Sequence, residues 1–262
     1  DLLIKKGKVT IAGNNVIEST SNYGLSSFVQ TLLSQDKAAK RTSLEAEGWK
    51  EDAVSGLAPD TAGNAAVAAR LARRTAIQNG THQTIVIQPK FGIFQQSKLF
   101  PPQTELYLEF EFANNAFFFN AVDGNANGQL RLVPIKAELS LHRYTIRETV
   151  YKALTTLNLG YANKAAVDYK YPYQQLECLE ATISQGATQH TIQFPSVKKR
   201  PNKVMVLFMA QACHAGNYQH NPAHFLHAGV SDISLKFHGV EMGRLQSNFT
   251  TGDATQAYDS LV

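Results

Sequence analysis

Four histidines close together in the last third of the chain form its most metal-like cluster: His214, His220, His224 and His227. Zinc needs ligands that converge at about 2 Å, each held by a further hydrogen-bond partner. Pro222 disfavours an ordinary helix between the second and third histidines, and no Cys, Asp or Glu lies among the four. The H-x-H start of a cupin metal site is also absent. We therefore favour loop histidines at a subunit contact, which gain a proton below about pH 6.5, over metal ligands.

Two glutamates could serve as an acid and base pair. Glu109 and Glu111 lie two residues apart in the alternating segment 106–112, so they face the same side of a predicted strand. Two carboxyl groups in a cleft can do acid–base chemistry. The same spacing is typical of the polar face of an amphipathic strand, and we favour that surface role.

Basic residues cluster at two places. Arg70, Arg73 and Arg74 would share one face of a helix and could form a phosphate-binding edge. A solvated or ion-paired face is the alternative that we favour. The run Lys198–Arg200 is too short for specific binding and is predicted to be a solvated loop.

Other catalytic signatures are missing from the sequence. It contains no G-x-S-x-G, no P-loop and no G-x-G-x-x-G. We assign no catalytic, cofactor-binding or metal-binding residue and predict that the protein is not an enzyme. The 262 residues are 44% hydrophobic and 18% charged, with a net charge of +4. That balance favours an aromatic-rich β protein over a dedicated nucleic-acid binder.

Strand-like segments separated by Gly, Pro and Asn dominate the pattern. The strongest is the alternation in 106–112, and a hairpin is predicted over 9–17. Further strands are expected at 82–87, 130–132, 137–141, 177–183, 189–194, 204–209 and 233–237. Helices are predicted from an apolar stripe over 25–33, from an Ala-rich stretch at 65–76 and over 146–159, where Gly160 would end the last helix. Turns are predicted at Gln185-Gly186 and at Gly239. Many strands with short inserted helices indicate a sandwich or jelly roll.

The two cysteines and the ends of the chain are the residues that bear on the cellular compartment of the protein. Cys178 and Cys213 lie in or beside apolar strands and are predicted to be free, buried thiols. No apolar run is long enough for a membrane helix, and no signal-peptide pattern opens the chain. Because the sequence starts without Met, we expect it to be a processed or partial piece of a longer protein.

Several blocks of the sequence resemble the major capsid proteins of Polinton/Maverick elements and adintoviruses. The most specific block has Asn221-Pro222, Phe225, His227, Ile233, Leu235 and Gly239, followed by a block with Asn248–Thr251, Tyr258 and Ser260-Leu261. Weaker similarity covers Gly13, Leu32–Ser34, Lys37, Leu44 and Trp49, and also Phe94–Leu99 with Glu105-Leu106. The sequence departs from the family pattern at Ala223, where an aromatic residue is usual, and at His238, where an acidic turn residue is common.

The resemblance implies a double jelly roll, two antiparallel β-sandwich domains side by side with short inserted helices. Residues 1–133 would hold the later strands of the first jelly roll, with a helical insertion at about 22–76. Residues 134–262 would hold the earlier strands of the second, so strands would be lacking at both ends.

The implied function is a structural coat. Homotrimeric, pseudo-hexagonal capsomers would tile an icosahedral shell, assembled inside the cell and located in the virion. Partners would be neighbouring capsomers, penton or minor capsid proteins and, weakly, the genome. The alternative is a carbohydrate-binding or adhesin-like β-sandwich module that uses Tyr169, Tyr171 and Tyr173 as a sugar platform.

Overall fold

A computed structural model describes residues 2–11, 15–36, 38–39, 42, 44, 84–100, 104–119, 132–158, 170–193, 201–218, 220–226 and 228–246. Its regular structure is two small antiparallel sheets with a few helices. The strands are β1 (Ile4–Ile11), β2 (Asn15–Thr20), β3 (Leu106–Phe112), β4 (Asp232–Phe237) and β5 (Val240–Gln246). The helices are α1 (Tyr23–Ser34), α2 (Asn115–Phe118), α3 (Glu148–Asn158) and α4 (Gln211–Ala215), with a 3₁₀ turn at Gly92–Phe94. The described part is consistent with the predicted mainly β class.

The first sheet has the order β2-β1-β3 and is antiparallel throughout. Its register sorts side chains by polarity, because paired residues on neighbouring strands share a face. Val9 pairs with Leu108 on one face, while Lys8 pairs with Glu109 on the other. The predicted alternation over 106–112 and the predicted hairpin at the start of the chain are both confirmed.

An aromatic cluster covers the apolar face of this sheet. The ring centroid of Phe91 lies 5.0 Å from that of Tyr23 and 6.1 Å from that of Phe110. Val9 is completely buried beneath the cluster, and Ile93 is also buried. A buried aromatic contributes a large apolar area, and tilted or offset ring pairs add further stabilisation. This cluster is the main core of the described residues.

Helix α1 confirms the predicted helix but buries a different face. The predicted apolar stripe is only half-buried, and Leu33 is 54% exposed. The buried positions include Tyr23, Ser27 and Thr31, which are spaced four residues apart. The Thr31 hydroxyl donates to the Ser27 carbonyl at 2.9 Å, so the buried hydroxyl has a hydrogen-bond partner in place of water. The short side chains of Ser27 and Thr31 suit the close contact between α1 and β1.

Several described segments that were predicted to be strands do not form strands in the structure. Segments 84–87, 137–141, 177–183, 189–193 and 204–207 belong to no β-ladder. Beyond the named strands, the chain forms one isolated antiparallel bridge within those residues, between Phe208 and Leu226. A strand needs a hydrogen-bonded neighbour as well as β propensity, so the strand predictions for these segments are wrong. The predicted strand at 130–132 and the helix at 65–76 lie mostly or wholly outside the described residues.

Two of the remaining local predictions are confirmed. The helix expected over 146–159 is α3, where Glu148 and Lys152 form an ion pair at 2.6 Å, four residues apart. The turn expected at Gln185-Gly186 is present, and Gly186 has a φ of +78°. The predicted helix end at Gly160 lies outside the described residues.

The β4–β5 hairpin is amphipathic and closes on a two-residue connection. Ile233 pairs with Leu245 on its apolar face, whereas Ser234 pairs with Arg244 on its polar face. His238 and Gly239, which form the connection, have φ of +50° and +81°. Positive φ at both central residues is the mark of a type I′ turn, whose twist suits a hairpin. The turn that the sequence placed at Gly239 is confirmed.

Replacing Gly239 with alanine is expected to destabilise this hairpin by about 1 kcal/mol, because an added Cβ is strained at positive φ. Amide hydrogen exchange of the β4 and β5 residues measures the loss. The matched control is Gly243→Ala in β5, where an added Cβ meets nothing within 4 Å and φ is not positive. Equal effects of the two substitutions would contradict the turn assignment.

Candidate functional site

The two glutamates considered for acid–base chemistry lie on the exposed face of the first sheet. Glu109 pairs with Lys8 at 3.2 Å and Glu111 with Lys6 at 2.8 Å, in both cases across strands. The hydrogen bond from Lys6 lowers the pKa of the Glu111 carboxyl below its usual value. A general acid needs a raised pKa and a sheltered site. The geometry therefore supports the surface role, in cross-strand ion pairs.

The histidine cluster spreads over a helix and a loop. His214 lies on α4, and its Nε2 is 3.1 Å from a carboxylate oxygen of Glu180. His220 and His224 follow in the loop, and their backbone amides donate to carbonyls three residues earlier. His227 lies outside the described residues. In the described ranges no three His, Cys, Asp or Glu side chains are grouped so that they could hold a metal. The absence of a metal remains a prediction for the whole chain.

The loop around Pro222 has a compact turn. The side-chain oxygen of Asn221 accepts from the Ala223 amide at 2.9 Å, and Pro222 is buried. Such a turn is typical of Asn before a short reversal of the chain. The Leu226 amide then donates to the Phe208 carbonyl at 2.8 Å, which ties the loop back to an extended segment. The loop is thus fixed by its own backbone and side-chain bonds.

A side-chain cluster that the sequence did not predict joins three distant segments. Asn22, immediately before α1, donates through its side-chain amide to Glu180 and also hydrogen-bonds Cys178. The same Glu180 carboxylate pairs with His214. Asn22 therefore makes a tertiary contact and gives α1 no side-chain cap. Local sequence carries no signal for this cluster, because its members come together only in the fold.

The surroundings of both cysteines disfavour the thiolate form. Burial and then the Glu180 charge raise the pKa of the Cys178 thiol. Burial also raises the pKa of Cys213, which is fully buried. A reactive cysteine needs a lowered pKa in an electropositive setting. Both cysteines are free thiols, as predicted, and the cluster acts as a contact between segments.

The segment 170–176, called the strap below, brings two of the three tyrosines of the sugar-platform alternative against the core. The Tyr171 ring lies 5.4 Å from that of Phe100, and its hydroxyl donates to the Leu99 carbonyl at 3.2 Å. The Tyr173 hydroxyl donates to the Ile17 carbonyl at 3.4 Å. Half-buried rings in such contacts serve packing. Tyr169 lies outside the described residues, as do Arg70, Arg73, Arg74 and Lys198–Arg200.

The most unusual group is a buried carboxyl on the apolar face of the first sheet. Glu18 pairs with Val9 across β1 and β2 and is only 2% exposed. It accepts a hydrogen bond from the Gly92 amide at 2.9 Å and another from the Leu176 amide. Burial raises the pKa of Glu18, and these two amide bonds oppose the rise. Sequence reasoning missed this residue, because β2 alone does not show what covers it.

No family model matches the chain, and no curated protein or solved structure gives a significant match. Within the described residues no helix is long and apolar enough to cross a bilayer.

Proposed function

We propose that the protein is a structural major capsid protein with a double jelly-roll fold, which assembles into homotrimeric, pseudo-hexagonal capsomers of an icosahedral shell. Its partners are further copies of itself, penton or minor capsid proteins and, weakly, the genome, and its place is the virion. The proposal rests on the sequence resemblance. The described geometry supports it through the form of the sheets.

The structural observation that carries most weight beside the resemblance is the sorting of both sheets into an apolar and a polar face. In the first sheet, cross-strand Lys–Glu pairs lie on the exposed face while aromatic rings cover the other. In the hairpin, paired residues again separate into an apolar and a polar set. A jelly roll is built from antiparallel sheets of this kind, packed with their apolar faces inward.

Two parts of the resemblance fall on suitable local structures. The family pattern has a helix inserted after an early turn, and α1 begins three residues after β2 ends. The Asn221-Pro222 block forms a side-chain-stabilised turn that leads toward the amphipathic hairpin.

Exposed apolar side chains support self-association. Val133, Ile135, Leu139 and Leu141 alternate along an extended segment, and each is at least 58% exposed. Large apolar residues exposed in a row mark contact surfaces in many proteins. Subunit interfaces of capsid size would bury such residues.

Light scattering on a size-exclusion column tests the proposal. We expect a native mass of at least three chains, or a much larger particle, since the capsomer is a trimer. A stable monomer at micromolar concentration, with the 28.8 kDa mass of one chain, would contradict the proposal. Binding to a glycan array by such a monomer would then favour the sugar-binding alternative.

A further inference from the structure

Glu18 is an acidic residue on the apolar face of the first sheet. Its neighbour across the strands, Val9, is fully buried, and Glu18 itself is nearly so. Bringing a charged carboxylate out of water is unfavourable unless a cation or several hydrogen bonds replace the lost hydration. The partners of Glu18 therefore decide which protonation state the fold favours.

The carboxyl links three parts of the chain. It belongs to β2, accepts from the Gly92 amide of the 3₁₀ turn, and accepts from the Leu176 amide at the end of the strap. Tyr173 of the same strap reaches β2 through the carbonyl of Ile17. The strap is thus attached to the first sheet at a junction whose centre is one ionisable group.

Few of the charged groups in the described ranges face this junction. From the strap, Tyr173 lies near Glu18, and the pKa of its hydroxyl is raised by burial and then by the Glu18 charge. The Lys98 ammonium donates to the Lys170 carbonyl at 2.8 Å, at the exposed start of the strap. The 3₁₀ turn and its flanking phenylalanine contain no titratable side chain.

The lysines described on the neighbouring elements form no ion pair with Glu18. On β1, Lys6 and Lys8 pair with glutamates on the opposite, exposed face of the sheet. Before the 3₁₀ turn, Lys90 donates through its backbone amide to the Tyr23 hydroxyl at 2.8 Å. Across the described part of the chain no lysine or arginine forms an ion pair with Glu18. Within those residues, two backbone amides, of Gly92 and Leu176, offset the loss of hydration at the Glu18 carboxyl.

We propose that Glu18 is a proton-responsive clamp, which holds the strap firmly on the first sheet in acid and loosens it as the pH approaches neutrality. The neutral carboxyl is compatible with the buried site, whereas the ionised form has no cation paired with it among the described residues. Protonation thus changes the free energy of this junction more than that of an exposed carboxyl.

The direction of the pH effect follows from linkage. Burial holds the pKa of Glu18 in the folded protein above its ordinary value of 4.5. A raised carboxyl pKa means that the folded state binds more protons than the unfolded state in the interval between the two values. The stabilisation is complete below the ordinary value and is lost as the pH rises through the folded value.

Unfolding by urea at several pH values between about 4 and 8 tests the clamp, with Glu18→Gln as the variant. Glutamine keeps the size of the side chain and stays neutral. We expect the folding constant of the wild type, relative to the variant, to fall as the pH rises through this range, by a factor of about ten for each unit by which burial raises the pKa of Glu18. Glu109→Gln, on the exposed face of the same sheet, is the matched control and should not reproduce this change. A ratio that does not change with pH would overturn the proposal.

Hydrogen exchange of the wild-type protein keeps the test decisive if Glu18→Gln does not fold. After correction for intrinsic exchange, protection of the Leu176 and Gly92 amides should decrease between acidic and neutral pH. Amides in the β4–β5 hairpin serve as the internal reference. Equal protection of the Leu176 amide at both pH values would overturn the clamp, whatever the oligomeric state of the protein.

Discussion

Gly92→Ala is expected to lower the free energy of unfolding by about 3 kcal/mol, because the strap leaves no room for a side chain at this position. An added Cβ would overlap the carbonyl oxygen of Gln174 and lie 2.9 Å from its carbonyl carbon. Both are backbone atoms, so no change of rotamer relieves the overlap. The strap would have to move, and the bond between Gly92 and Glu18 would be strained with it. Urea denaturation monitored by circular dichroism measures the loss.

Gly243→Ala provides the matched control for this substitution, since its new Cβ would meet nothing within 4 Å. We expect the control to change stability by less than about 0.5 kcal/mol. If Gly92→Ala were as stable as the control, the close approach of the strap to the 3₁₀ turn would be wrong.

Phe91→Ala is expected to cost about 3–5 kcal/mol, the range for removing a buried aromatic ring. Phe91 is 1% exposed, and its ring contacts those of Tyr23, Phe94 and Phe110. Alanine would leave a cavity between α1 and the first sheet, because three fixed rings cannot collapse into it without losing their own contacts. Thermal unfolding followed by tyrosine fluorescence or circular dichroism reports the change.

The control for this core substitution is Phe112→Ala at the end of β3, where the ring is 51% exposed. We expect a loss of about 1 kcal/mol or less there. Similar losses at the two phenylalanines would contradict the placement of the aromatic cluster as the core. Phe91→Leu should recover part of the stability, since it restores most of the apolar volume.

Local patterns in the sequence predicted the elements whose formation depends on local residues. The alternation in 106–112 predicted β3 and its two faces. The strand at 233–237 and the turn at Gly239 were also predicted, whereas the returning strand β5 was not. The apolar stripe located α1 but not its buried face. Burial is decided by what packs on a helix, and Ser27 and Thr31 allowed the closer approach.

Features formed by residues far apart in the sequence could not be predicted from local patterns. Glu18 carries an ordinary acidic side chain in a short strand, and its burial depends on a strap that follows about 150 residues later. The contact of Asn22 with Glu180 likewise joins residues that are far apart in the sequence. Segments 177–183 and 204–207 have strand composition but no ladder among the described residues, since β propensity does not supply a partner strand.

The division of the chain at residue 133 stays a prediction. Residues of the strap belong to the second predicted domain, yet Tyr171 and Tyr173 pack against the core of the first sheet. A double jelly roll with its two sandwiches side by side allows such a crossing segment. The full strand order of each sandwich is part of the proposal.

Electron cryo-microscopy of the purified native oligomer tests the central claim most directly. The account predicts class averages with three-fold symmetry and a pseudo-hexagonal outline, because three double jelly rolls present six similar sandwiches around one axis. Complete shells of uniform diameter would also support the coat-protein proposal, because such shells are assembled from capsomers. Compact monomers, or oligomers without three-fold symmetry, would contradict the coat-protein proposal.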